Sequence, residues 1–123
     1  MVNKQDYMNA INQNIEMVRG DTLAFNFMIK GLTHEQAAEF EVTFAVAEHY
    51  DDAEVIILTK GNGIALESYN DRTGVALFSV TMRPDLTKTL DLGRYFYDLQ
   101  IKDSTNVVTL MRGFLTLVYD VSD

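Results

Sequence analysis

The sequence of 123 residues contains no cysteine and no tryptophan, and it has one proline and two histidines. Without cysteine there is no thiol nucleophile, disulfide, cysteine-ligated zinc site or iron–sulfur cluster. With only His34 and His49, a histidine-based catalytic site has few places to form. The absence of cysteine agrees with a reducing compartment. Cysteine-based chemistry is therefore excluded, and histidine-based catalysis has only two candidate residues.

Basic residues are also few, since 10 Lys and Arg stand against 18 Asp and Glu, for a formal net charge of −8. Such a surface repels phosphate backbones and anionic lipids, so neither a nucleic-acid nor a membrane partner is expected. No apolar run approaches the roughly 20 residues of a membrane-spanning helix. The N-terminus lacks the basic and apolar regions of a secretory signal, so we expect synthesis in the cytoplasm without export by that route.

The dominant pattern in the sequence is alternation of apolar and smaller or more polar residues. It is clear in Leu23–Ile29 and in Phe40–Val46, where every second residue is large and apolar. This period is typical of strands with one face in the core. Seven or eight such segments, separated by turn residues, predict an all-β, immunoglobulin-like antiparallel β-sandwich. The single Pro84 predicts one short connecting helix over the residues that follow it.

Two segments depart from this alternation and are candidates for partner contacts. Residues 1–14 read as an N-terminal arm preceding a sandwich domain of residues 15–123, because four asparagines weaken helix formation there. Residues 55–58 are apolar on both faces, so one face needs cover from a partner, from the arm or from a neighbouring hairpin. The residues predicted to bind a partner are Tyr7, Met8, Ile11, Ile56 and Leu58.

Glycines mark three structural features. Lys60-Gly61-Asn62-Gly63 predicts a tight hairpin, and Gly113 predicts a bulge or a close approach of another segment. Asp91-x-Gly93-x-Tyr95 matches the corner of immunoglobulin-like domains, where the tyrosine hydroxyl bonds back to the main chain. The alternative is a tyrosine-rich strand that simply begins after a glycine.

Candidate chemical sites are weak. His49 with Glu48 or Asp51 is a conceivable metal site, but adjacent residues of a strand point to opposite faces, which favours a solvated loop. The acidic residues from Asp51 to Glu54 lack the spacing of a calcium loop, and Arg19-Gly20-Asp21 is short enough to occur by chance as a turn. We therefore predict no catalytic residue, no metal and no cofactor.

Five sequence blocks follow one another along the chain, at residues 15–22, 25–31, 42–46, 93–101 and 109–117. In this order and spacing they resemble the N-terminal domain of phage baseplate upper proteins. The resemblance implies a β-sandwich in the tail tip of a phage or prophage, where the domain helps to attach receptor-binding components. It further implies location in the virion and other tail or baseplate proteins as partners, and virion components usually assemble as symmetric homo-oligomers.

Three functions remain at this point. The first is a structural tail or baseplate protein that acts through protein–protein contacts and is not an enzyme. The second is a carbohydrate-binding or adhesin-like sandwich, which requires exposed aromatic side chains in a row. The third, a hydrolase, has the least support because no catalytic cluster can be named.

Overall fold

The computed structural model describes residues 11–49 and 52–119. The predicted all-β class is confirmed, and the chain forms nine strands and two small helices within these ranges. No helix in the described part is long and apolar enough to cross a bilayer. The elements are β1 (Ile11–Asn12), β2 (Ile15–Val18), β3 (Leu23–Ile29), α1 (His34–Glu39), β4 (Glu41–Ala47), β5 (Glu54–Lys60), β6 (Gly63–Asn70), β7 (Val75–Met82), α2 (Asp85–Lys88), β8 (Gly93–Lys102) and β9 (Val107–Val118).

The strands form one continuous sheet that curls over itself into a sandwich-like body. Its order is β1-β9-β8-β4-β5-β6-β7-β3, and β2 continues β1 along the edge of β9. The curl brings β3 against β4, where the rings of Phe25 and Phe44 meet edge to face with centroids 5.8 Å apart. The open ends of the sheet, β1–β2 and β3, therefore come to the same side of the molecule.

The predicted antiparallel pairing holds for most of the sheet, but not for β1 and β2 or for the short bridge between β5 and β6. β1 and β2 run parallel to β9, with Ile11 opposite Met111 and Val18 opposite Val118. β1 and β2 thus lie beside β9, the last strand, and residues 19–21 then connect β2 to β3 in the other layer. A parallel pair needs a long connection, and here the whole remaining domain provides it.

The predicted hairpin at Lys60–Gly63 is wrong in its pairing. A turn is present, with the Asn62 amide donating to the Thr59 carbonyl over 2.8 Å. However, β5 and β6 share only a short parallel bridge, and each instead pairs antiparallel with β4 or β7. The two glycines thus serve a corner where the chain passes from one layer to the other.

The core confirms the alternation but corrects one pair of partner-binding residues. Ile56 and Leu58 are 3% and 2% exposed, so they belong to the core and are not available to a partner. The outward apolar residues of β5 are Val55 and Ile57, which are both exposed. Because residues 55–58 are all apolar, the sequence alone does not show which of their side chains point inward.

The helix after Pro84 is confirmed as the single turn of α2, but α1 was not predicted. Thr33 caps α1 by accepting from the Gln36 amide over 3.1 Å, and the Gln36 side chain accepts from the Thr33 amide. His34 is therefore the first helical residue. The Thr-x-x-Gln capping box was visible in the sequence.

The N-terminal arm is described only from Ile11 onward, and Tyr7 and Met8 lie outside the described residues. Ile11 and Asn12 are paired with β9, which places them within the sheet.

At Gly113 the predicted close approach is confirmed, since a β-carbon there would overlap the Gln13 carbonyl and the Asn14 side chain.

Candidate functional site

The open side of the sandwich contains an apolar groove of about 700 Å³, which we call the side groove. It lies between the two ends of the sheet, with Ile11 and Ile15 on one wall, Phe25, Phe27 and Met28 on the other, and Met111 also lining it. Ile11 and Met28 are 63% and 65% exposed. Lys30 is the one charged side chain among the described lining residues.

Burial differs sharply between the groove wall and the strand behind it. On β7 the inward residues Ala76, Phe78, Val80 and Met82 are fully buried. On the neighbouring β3 the inward residues from Leu23 to Phe27 are only half-buried. The core layer is therefore incomplete on the side of β3 that faces the groove.

The connection between β2 and β3 is hydrogen-bonded to α2 and to the residues that follow α2. Arg19 donates to the Leu90 carbonyl over 3.1 Å, and the Gly20 amide donates to the Thr87 hydroxyl of α2 over 2.9 Å. Gly20 has a φ of 88°, a backbone conformation that favours glycine. Arg19 and Gly20 of the Arg-Gly-Asp tripeptide thus hold the connection between β2 and β3 against α2 and Leu90.

Asp91, Gly93 and Tyr95 form the predicted structural corner. The Tyr95 hydroxyl donates to the main-chain carbonyl of Asp91 over 2.7 Å, and Gly93 has a φ of 132°. Burial is the main cause of a raised pKa at Tyr95. The corner fixes the start of β8, the central strand of its layer.

Tyr97, two residues further along the same face, holds the N-terminal edge in place. Its hydroxyl donates to the Gln13 carbonyl, and burial raises its pKa to about 12. The Gln13 amide donates to the Arg112 carbonyl, while the Asn14 side chain accepts from the Phe114 amide over 3.0 Å. These bonds anchor the joint between β1 and β2, which forms one wall of the side groove.

A second concavity, the outer depression, lies on the outer face of β4, β8 and β9 and measures about 450 Å³. Phe96 and Phe114 pack across the strands with centroids 5.2 Å apart, and the Arg94 guanidinium lies 4.5 Å from the Phe114 centroid. Asp98 and Glu54 also line it. Partial burial, and then the charge of Glu54, raise the pKa of Asp98.

At one rim of the outer depression, Glu48, His49 and Asp52 bring their ligand atoms within 4.8 Å of one another. β4 ends at Ala47, so the alternation of a strand does not separate Glu48 from His49. Asp51, the other predicted neighbour, lies outside the described residues. All three side chains are exposed, and such acidic clusters are common without an ion, so we assign no metal to this cluster.

Of the predicted partner-binding residues that the structure describes, Ile11, Ile56 and Leu58, only Ile11 lies in a candidate site. Met28 and the exposed edge of β3 were not predicted from the sequence. The absence of charged residues from Leu23–Ile29 could have indicated an apolar contact surface. However, alternation does not reveal which strand lies at the edge of a sheet.

No family model and no curated protein sequence matches this chain. Among solved structures, a family 123 glycoside hydrolase from Clostridium perfringens, described for glycolipid glycan hydrolysis, is similar with a TM-score of 0.53 and 12% identity. The alignment covers 98% of this chain and 26% of the hydrolase. The chain therefore matches about a quarter of that enzyme, and the likeness concerns the β fold.

Proposed function

We propose that this chain is a structural component of a phage or prophage tail tip, where protein–protein contacts attach or organise receptor-binding components. The observation that carries the proposal is the side groove, with its apolar walls and two exposed apolar residues at its edges. The ordered sequence blocks that resemble baseplate upper proteins supply the tail-tip context.

The chemistry of the side groove suits a polypeptide. Apolar patches exposed by a soluble protein commonly mark contact surfaces. Sites for small polar ligands instead combine an apolar lining with several convergent polar groups. Here the polar lining residues are Gln13, Asn26 and Lys30, and the other lining residues are apolar. The groove therefore favours an apolar protein surface as its occupant.

The proposed role is not enzymatic. In the outer depression Asp98 and Glu54 come from different strands, and the neighbouring Glu48, His49 and Asp52 are solvent-exposed. Covalent catalysis typically uses a nucleophile hydrogen-bonded to a base that a third group orients. Such a set of three groups is not found among the residues that the structure describes.

The proposal is tested on phage particles. We would induce or propagate the phage that encodes this chain, purify intact tails, and identify their proteins by mass spectrometry. The chain should be present in a fixed ratio to the major tail protein, and antibody–gold particles should label the tail tip. A matched control is an abundant host cytosolic protein, which should be lost during purification. Absence of the chain from purified tails would overturn the proposal.

A second candidate, glycan binding, is favoured by the outer depression. Phe96, Phe114 and the carboxylate of Asp98 provide an aromatic surface beside a hydrogen-bond acceptor. The structural neighbour, moreover, is a protein that hydrolyses glycolipid glycans.

A glycan array probed with the wild-type chain and with Phe114→Ala tests this second candidate. Binding that the substitution abolishes would support it, whereas Ile57→Ala, outside the depression, should leave binding intact. A wild-type chain that binds no glycan on the array would reject it.

A further inference from the structure

We propose that the free edge of β3 pairs antiparallel with β3 of a second copy of this chain, in register about Asn26. The inference rests on the proposed function, for which it names one contact. β3 is the last strand in the sheet order, and its only neighbour among the described strands is β7. One row of its main-chain amides and carbonyls therefore has no strand partner within the described part of the molecule.

This edge lacks the features that usually keep edge strands apart. Natural edges carry charged residues, proline, bulges or short strands that prevent pairing with another chain. Leu23–Ile29 has seven residues with no charge and no proline, and its register with β7 continues without a shift. The opposite edge differs, because the Gln13–Asn14 joint interrupts β1 and β2. A long and regular edge of this kind is suited to pairing.

The sequence of β3 is self-complementary when it pairs antiparallel about its central residue. Leu23 then lies opposite Ile29, Ala24 opposite Met28, and Phe25 opposite Phe27. Asn26 lies opposite Asn26 of the second copy, where two side-chain amides pair on the outer face. The inward residues of one copy thus meet inward residues of the other, as a two-fold axis requires.

The incomplete core beside β3 fits the same occupant. The inward side chains of Leu23, Phe25 and Phe27 are only half-buried, because none of the described strands lies beyond β3. A second β3 would place apolar side chains next to them and bring the exposed Met28 opposite Ala24. The pair would also bury the uncharged edge of a chain that otherwise carries a net charge of −8.

Introducing a negative or a positive charge at Asn26 tests the inference with the full-length chain. Asn26 is exposed, so Asn26→Asp and Asn26→Lys should fold normally, as checked by circular dichroism and thermal melting. Analytical ultracentrifugation should show the wild type as a dimer of twice 13.9 kDa at micromolar concentrations. Each variant alone should dimerise about tenfold more weakly, since like charges then face each other.

An equimolar mixture of the two variants should recover the dimer, because Asp and Lys then lie opposite each other. Matched controls are Asn62→Asp and Asn62→Lys, which make the same charge changes in the exposed turn after β5 and should leave dimerisation unchanged. A monomeric wild type would overturn the inference. A dimer insensitive to charge at Asn26 would overturn it as well.

These results are separable from the proposed function. A monomeric chain found in purified tails would remove only the β3 pairing. A dimeric chain absent from tails would remove only the tail role.

Discussion

Tyr97 is a buried phenol whose hydroxyl donates to the Gln13 carbonyl and joins β8 to the N-terminal edge. Burial raises its pKa to about 12, against about 10 for an unfolded tyrosine. Because the folded state holds the proton more tightly, the stability linked to this proton is complete below the unfolded pKa. It is lost as the pH rises through the folded pKa.

We expect Tyr97→Phe to lower the free energy of unfolding at neutral pH by about 1 to 2 kcal/mol, since the Gln13 carbonyl loses its donor. The variant should also lose less stability than the wild type between the unfolded and folded pKa values. Chemical denaturation at a series of alkaline pH values measures both effects. Tyr119→Phe, which removes an exposed hydroxyl, should behave as the wild type. Equal alkaline losses in the wild type and Tyr97→Phe would contradict the assignment.

The pKa of Asp98 is shifted in the same direction as that of Tyr97, because the charged form of Asp98 is unfavourable in the folded state. Partial burial and the charge of Glu54 raise its pKa, so the folded state favours the protonated form. Its ionisation therefore lowers stability as the pH rises through the folded pKa. We expect Asp98→Asn to raise the melting temperature at neutral pH, and the gain should shrink in acid, where Asp98 is protonated in both states.

Asp103 provides a control of opposite sign. Its carboxylate accepts from the amides of Thr105 and Asn106 over 2.8 and 2.7 Å, and these bonds lower its pKa. Asp103→Asn should therefore lower the melting temperature at neutral pH. If Asp98→Asn also lowered it, the unfavourable charge inferred at Asp98 would be wrong.

At the scale of elements, the joint between β1 and β2 depends on the missing side chain of Gly113. A β-carbon there would overlap the Gln13 carbonyl and come within 2.9 Å of the Asn14 side-chain oxygen. Gly113→Ala should destabilise the protein by about 1 to 3 kcal/mol, typical of inserting an atom where there is no room. Hydrogen exchange should increase most in the amides of β1 and β2.

Thr116→Ala, on the same strand, is the matched control and should leave exchange in β1 and β2 unchanged. Uniformly faster exchange across all strands of Gly113→Ala would show instead that the joint does not open independently of the rest of the sheet.

Prediction from sequence succeeded where a local pattern determines the element. The alternation in β3, β4 and β8 identified strands and core, because period two places alternate residues on one face. The capping box of α1 was equally local and could have been found. The parallel pairing of β1 and β2 with β9 could not, since it joins residues about a hundred positions apart.

The candidate site was less predictable for the same reason. Ile11 was identified as a contact residue, but its partner across the side groove, Met28, became evident only from the curl of the sheet. Ile56 and Leu58 were assigned outward because a run of apolar residues carries no alternation to orient it. The phase of β5 is set by its pairing with β4, which places Ile56 opposite Val46.

At the scale of the whole molecule, the net charge of −8 acts on the compact state. The described residues contain two close ion pairs, Arg83 with Asp85 at 3.1 Å and Lys102 with Glu41 at 3.5 Å, both exposed. Repulsion among the remaining carboxylates is therefore poorly compensated, and added salt screens it.

We expect sodium chloride to raise the melting temperature by a few degrees at neutral pH, as followed by scanning fluorimetry. Near the isoelectric point of about 4.6, where the net charge is small, the same salt should have little effect. A melting temperature that falls with salt at neutral pH would show that attractive ion pairs dominate.

The pairing of β1 and β2 with β9 also has a consequence for biosynthesis. β1 and β2 leave the ribosome while their partner strand, about a hundred residues downstream, has yet to be translated. Contacts so distant in sequence form slowly because a large loop must close first. We therefore expect β1 and β2 to stay unpaired in the nascent chain until β9 has been translated and has left the ribosome, so that this edge of the sheet forms last.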